Sequence, residues 1–248
     1  MTIVTATFRS EQGSDDGWYE YYFDATGKRI NVYWVPDINY IRIGNRGNLL
    51  DGFFRFANIS IPKNARILEA YVTLEVNYGY IDEVCRLRIW GEKTGNAATF
   101  TPYTRLVNFS SESIADYLNR RMTDNFIDWI FPPSETNLRY NSPDISSIIQ
   151  EIVNQDTWNA GNALALFFKD NGGDYDGQRE IKSFEQITGA PTLVVKYEVE
   201  EVYHRLSVNS SPISVNVNID GVPVGTTPID QTLSEGIHNI EVLEEVTT

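Results

Sequence analysis

At 248 residues, 42% of them hydrophobic, the chain is long enough for one large β domain, alone or with a small companion. A formal net charge of −14 repels nucleic acid and anionic membrane surfaces, and it is compatible with cations or a basic partner. Cys85 is the single cysteine, so no intramolecular disulfide can form. No apolar run reaches the length needed to span a membrane.

The chain opens on TIVTATF (2–8), which alternates like a strand, followed by the polar turn SEQGSDDG. Met1 to Val4 lacks the charged start and long apolar core of a Sec signal peptide. The expectation is therefore a chain kept inside a cell, exported by another route, or carried in a virion. WYEYYF (18–23) and RINVYW (29–34) flank the turn Ala25–Lys28 and read as an aromatic hairpin, with a short strand at Tyr40–Gly44. The stretch Gly52–Val76 predicts two strands around Pro62–Ala65, because proline cannot donate to a ladder. Phe54 and Phe56 face one way, and Phe53, Arg55 and Ala57 the other. Ala70, Val72, Leu74 and Val76 alternate with Tyr71, Thr73 and Glu75, which predicts one apolar and one wet face. VCRLRIW (84–90) sorts in the same way, with Cys85, Leu87 and Ile89 inward and Arg86, Arg88 and Trp90 outward.

Residues 91–111 read as loop, and Ser113–Arg121 as two helical turns. Phe126–Phe131 reads as extended chain, ended by Pro132 and Pro133. After Pro143, the helix ISSIIQEIVNQ has Asp144 as its expected N-cap and Ile145, Ile148, Ile149 and Ile152 at helical spacing. NALALFFK (162–169) is a continuous apolar strand, 170–180 an acidic loop, and PTLVVKY (191–197) the closing strand. Short strands separated by turns make an antiparallel sandwich. Residues 199–206 read as a charged connector between a first domain at 1–198 and a small β module at 207–248. In that module Val215, Val217 and Ile219 alternate with asparagines, Asp220-Gly221 marks a hairpin, and Ile240 and Val242 lie on a last strand.

Two resemblances accompany these patterns. SDDGWYE (14–20), GFFRFANISIPKNARILEAYV (52–72), PDISSIIQEIVNQDTWNAGNALALFF (143–168) and APTLVVKY (190–197) resemble, in order and spacing, the DNRLRE-type, disaggregatase-related β-sandwich modules. The likeness implies a jelly-roll-like fold and a strand over Thr123–Phe131. It also implies a setting in secreted or surface proteins, some relatives being carbohydrate-binding. Ser211-Pro212, Ile219-Asp220-Gly221, Val224–Pro228 and Leu233–His238 look like a PEGA domain. That likeness implies a non-catalytic module of surface or viral structural proteins. The expected fold class is all-β: a jelly-roll-like antiparallel sandwich with one short helix, followed by a small C-terminal β module.

For catalysis the sequence offers little, since no nucleophile elbow, zinc spacing or phosphate-cradling loop is present and His204 and His238 lie in the connector and tail. No enzyme is expected. Structural calcium is the candidate cofactor, with Asp15, Asp16 and Glu20 in one cluster and Asp170, Asp174 and Asp176 in another. The competing reading is a solvated acidic loop. For glycans, which favour aromatic platforms flanked by hydrogen-bonding groups, the candidates are Tyr71, Arg86, Arg88 and Trp90, with Trp18 and Tyr21 in a second set. The competing reading there is packing or subunit assembly. The functional expectation is a structural or recognition protein on a virion, of decoration or fibre type, whose partners are other subunits and a polysaccharide. The alternative is a carbohydrate-binding module of a cell-surface or exported protein.

Overall fold

The computed structural model describes residues 1–23, 29–35, 39–79, 83–100, 120–186, 188–200, 203–211, 213–234 and 236–243. The chain divides into a large unit, Ile3–Val199, and a small one, Glu200–Thr248 with Met1–Thr2. The large unit carries β1 (Thr2–Arg9), β2 (Asp16–Phe23), β3 (Arg29–Val35), β4 (Tyr40–Asn45), β5 (Leu49–Phe56) and β6 (Arg66–Tyr78). They are followed by β7 (Cys85–Glu92), β8 (Met122–Phe131), β9 (Arg139–Asn141), helix α1 (Ser146–Val153), β10 (Leu164–Asp170), β11 (Gln178–Lys182) and β12 (Thr192–Val199). The strands build one curled sheet in the order β1-β12-β6-β11-β4-β5-β10-β7-β8, with β2 joined to β3 and β5 and β9 joined to β6. The all-β, sandwich-like fold with one short helix is as the alternation predicts.

Strands β5 and β6 are not neighbours, although a short proline-bearing segment connects them. β5 pairs with β2, β4 and β10, while β6 pairs with β12, β11 and β9. The connection crosses from one part of the sheet to another with Ile59 and Ile61 fully buried, and it is pinned by Trp158 Nε1, which donates to Ile61 O at 3.0 Å.

The core explains why the strand faces matter. Phe54, Phe56, Val72, Leu74, Leu87, Ile89, Leu166, Phe168 and the apolar face of α1 form the main cluster. On the opposite side of β2, β5 and β10 a second cluster gathers Tyr19, Tyr21, Phe53, Phe100 and Phe167. Strands β5 and β10 are thus apolar on both faces, which is why LALFF runs without alternation. Arg120 ties down the stretch that carries Ala97 and Phe100, donating to Glu92 Oε2 at 2.8 Å and to the carbonyls of Ala98 and Thr99.

Asp144 sits one residue before the N-cap of α1, which is Ile145. Its Oδ1 accepts from Ser146 N at 2.9 Å and from Ala70 N at 3.0 Å, so it ties the helix start to β6 rather than capping the first turn alone. Extended chain over Phe126–Phe131 is confirmed within β8. The helical reading of residues 113–119 lies outside the described residues, as does the turn Ala25–Lys28. Arg120 and Arg121, which are described, are not helical.

In the small unit, β13 (Tyr203–Val208) pairs with β16 (Ile229–Ser234), and β14 (Asn216–Ile219) lies between β15 (Val222–Thr226) and β17 (Ile240–Leu243). Residues 203–206 are therefore the start of a strand and not a connector, with His204 opposite Leu233 and Leu206 opposite Gln231. Asp220 and Gly221 both take positive φ, 52° and 76°, the geometry a two-residue hairpin needs. Val217, Ile219 and Ile229 are its buried centre.

Candidate functional site

Strand β7 carries the outward residues of VCRLRIW, with β10 on one side and β8 on the other. Cross-strand register sets Phe167, Trp90 and Phe126 in one row and Lys169, Arg88 and Asp128 in the next, with Arg86 beside Ile130. Phe167 is buried, Trp90 is half-buried, and Phe126 and Ile130 are exposed. The ladder is fixed from beneath by α1. A Cβ on Gly91 would stand 2.7 Å from Ile152 Cδ1 and 2.8 Å from Ile148 Cγ2, so a larger residue there would push those helix side chains aside.

Polar geometry across this face is well defined. Arg88 donates from Nε to Asp128 Oδ1 at 2.5 Å and from Nη2 to Asp128 Oδ2 at 2.8 Å, a fork that holds the Asp128 carboxyl below its usual range. Asn171 Nδ2 donates to Asp128 Oδ1 at 3.1 Å. The Arg88 guanidinium lies 4.1 Å from the centroid of Phe126 and 5.6 Å from that of Trp90, with Lys169 Nζ 5.7 Å from Trp90. Burial pushes the Lys169 ammonium down, and Asp51, 4.0 Å away, acts in the opposite sense. Planar hydrogen-bonding groups beside two partly open rings are what a sugar ring and its hydroxyls require.

The sequence set is only partly brought together here. Arg86, Arg88 and Trp90 share the face. Tyr71 does not join them, because four strands, β11, β4, β5 and β10, lie between β6 and β7. Trp18 and Tyr21 are 2% and 7% exposed, so the second aromatic set offers no platform. The cause is the position of β2 beside β5. Trp18 stacks on Tyr40 in the main core, and Tyr21 belongs to the second cluster. Phe126, Asp128, Ile130, Lys169 and Asn171 were not singled out from sequence. Alternation in DNFIDWI sorts Phe126 and Asp128 onto one face, yet nothing in the sequence says that β8 lies beside β7.

The acidic candidates are structural anchors. Asp15 is buried and accepts from Arg55 Nη1 at 2.7 Å. Asp16 accepts from Phe184 N at 2.7 Å, and Glu20 from Asn48 Nδ2 at 3.2 Å. Asp170 accepts the N–H groups of Gly172 and Gly173, and Asp174 that of Val84. Asp176 takes a left-handed turn position with φ of 65°. Among the described residues no group of three or more His, Cys, Asp and Glu side chains converges as a metal site would, so neither calcium cluster assembles.

Cys85 is buried, and burial pushes its thiol up to about 12, out of the range of a working nucleophile. In the small unit His238 borders a cavity of about 470 Å³ with His204, Leu206, Leu233 and Ile240. Both ring nitrogens are engaged, Nδ1 with Asp220 Oδ2 at 2.7 Å and Nε2 with Ser234 O at 2.8 Å. Both partners are acceptors, which favours the protonated ring and raises its pKa, Asp220 first and Ser234 second. Neither nitrogen is left to take a proton from a nucleophile.

The small unit is a two-sheet β module built around a tight Asp-Gly hairpin. Residues 203–246 match the PEGA domain, a module generally found in extracellular and surface proteins. No curated protein matches the chain. Among the described residues no helix is long and apolar enough to cross a membrane.

Proposed function

We propose that this chain is a non-catalytic recognition and structural protein displayed on a larger surface assembly, of the virion decoration or fibre kind, and that its sandwich engages a polysaccharide. One observation carries the reading. Trp90, half-buried, and Phe126, exposed, lie side by side with a carboxylate–guanidinium fork on a three-strand ladder. The resemblance of residues 10–197 to DNRLRE-type sandwiches and the carbohydrate association of PEGA modules support the same direction. The tail supplies a second, separately built module for contact with neighbouring subunits. A carbohydrate-binding module of a cell-surface or exported protein is the second reading, favoured by the PEGA match, and it uses the same face.

A glycan array tests the sugar half. Binding is expected with the whole chain, lost in Trp90→Ala and kept in Tyr71→Ala, which lies elsewhere on the sheet. No binding to any glycan removes the sugar half and leaves assembly. Sizing the purified chain tests that half, and a strict monomer that binds no glycan overturns both readings.

A further inference from the structure

We infer that Asn171 is a site of spontaneous deamidation, and that its conversion takes apart one corner of the β10–β7–β8 face. Asn171-Gly172 is the single Asn-Gly pair in the sequence. The reaction needs only the chain and water. The backbone nitrogen of Gly172 attacks Cγ of Asn171 and gives its proton to solvent, while the Cγ–Nδ2 bond breaks and the departing nitrogen takes a proton from solvent to leave as ammonia. Water then opens the cyclic imide at either carbonyl, yielding aspartate or isoaspartate.

The pair lies open to solvent. Both residues are exposed, and outside its chain neighbours no atom lies within 4 Å of the place where a Cβ on Gly172 would stand; the attacking nitrogen donates to Asp170 Oδ2 at 3.1 Å, a bond at the surface that ring closure must release. The Asn171 amide is restrained by its bond to Asp128, whose side chain is 51% exposed, so releasing it costs little. Asp220-Gly221 makes a useful contrast. There the carboxylate is ionised and tied to both His238 and Asn239 N, which leaves its Cγ a poor electrophile.

Consequences follow from what Asn171 touches. An aspartate replaces a donor by an anion 3.1 Å from Asp128 Oδ1, and like charges at that distance loosen Asp128 from Arg88. An isoaspartate adds a methylene to the backbone of a residue whose N–H donates to Arg86 O at 2.9 Å, so the end of the β10–β7 ladder shifts under Arg86. This proposal does not depend on the sugar reading, because its readout is mass.

The test incubates the whole folded chain at mildly alkaline pH and maps its peptides by mass spectrometry, beside a urea-denatured sample and an Asn171→Gln variant. Asn171 is expected to convert fastest of the asparagines in the folded chain, and the acidic isoform is expected to be absent from Asn171→Gln. An amide at 171 that persists in the folded chain while the denatured sample converts overturns the site. Faster conversion elsewhere does so too. For the consequence, NMR titration of Asn171→Asp is expected to raise the pKa of Asp128, and an unmoved value overturns that half.

Discussion

The two units of this chain are held together by different physics. The large one is organised by burial, with two apolar clusters sharing strands β5 and β10 and rings such as Phe53, Phe54 and Phe168 wholly out of water. Among its described residues the small one has three buried apolar side chains, and it leans on polar clamps: His238 with Asp220 and Arg205 with Asp230 at the surface, and Ser210 with the buried Thr227. A domain near 40 residues buries too little apolar area to rely on it alone, so its polar contacts carry a larger share of the fold. The large unit should therefore respond mainly to lost volume and the small one to pH.

The widest gap should open at the doubly buried strand. Phe54→Ala removes a ring that packs edge-on against Phe168 at 5.2 Å between centroids, and is expected to cost about 3–5 kcal/mol in chemical denaturation. A smaller loss, with the second cluster intact, would mean that the two clusters act independently. Next comes Arg179, fully buried, whose guanidinium donates to the carbonyls of Gln178, Glu83 and Pro132. Arg179→Met leaves those acceptors without their donor and is expected to cost about 2–4 kcal/mol, read on the same transition. In the small unit Ile219→Ala is expected to cost about 2–3 kcal/mol and to lower only the transition belonging to that unit in calorimetry. A matching drop in the large unit would break the comparison.

The pH predictions are subtler and differ in sign. For His238 the folded pKa is raised, so its stabilisation is complete below the ordinary histidine value and is lost as pH rises through the folded one. Melting the small unit across neutral pH should show that loss, and His238→Gln should abolish the pH dependence. For Glu151 burial pushes the carboxyl up, but the N–H groups of Asn125 and Asp124, the Asn125 amide and Lys93 together bring it from 4.5 to about 2. Its contribution is present above the ordinary carboxylate value and is lost as pH falls towards about 2. Glu151→Gln should flatten that limb of the profile.

Much of the fold was legible because side-chain period follows burial. Cys85, Leu87 and Ile89 sort from Arg86, Arg88 and Trp90 by alternation, and the isoleucines of α1 fall on one helical face. The strand partners were not legible. Neither the placing of β8 beside β7 nor the separation of Tyr71 from Trp90 is written in local pattern, since each depends on pairings between distant residues. Trp18 and Tyr21 looked as available as Trp90, because aromatic alternation does not say whether the outer face is water or a second layer. The acidic clusters looked like cation ligands because carboxylates that cap turns and carboxylates that hold metal have the same composition.

Cys85 lies at the start of β7 with its sulfur among the core side chains, and it is the only thiol in the chain. The molecule thereby carries a native reporter of its own opening. A thiol-reactive dye added to the folded protein has nothing to modify until the sandwich exposes that strand. The labelling rate therefore counts opening events of the large unit alone, with no engineered probe and no signal from the tail.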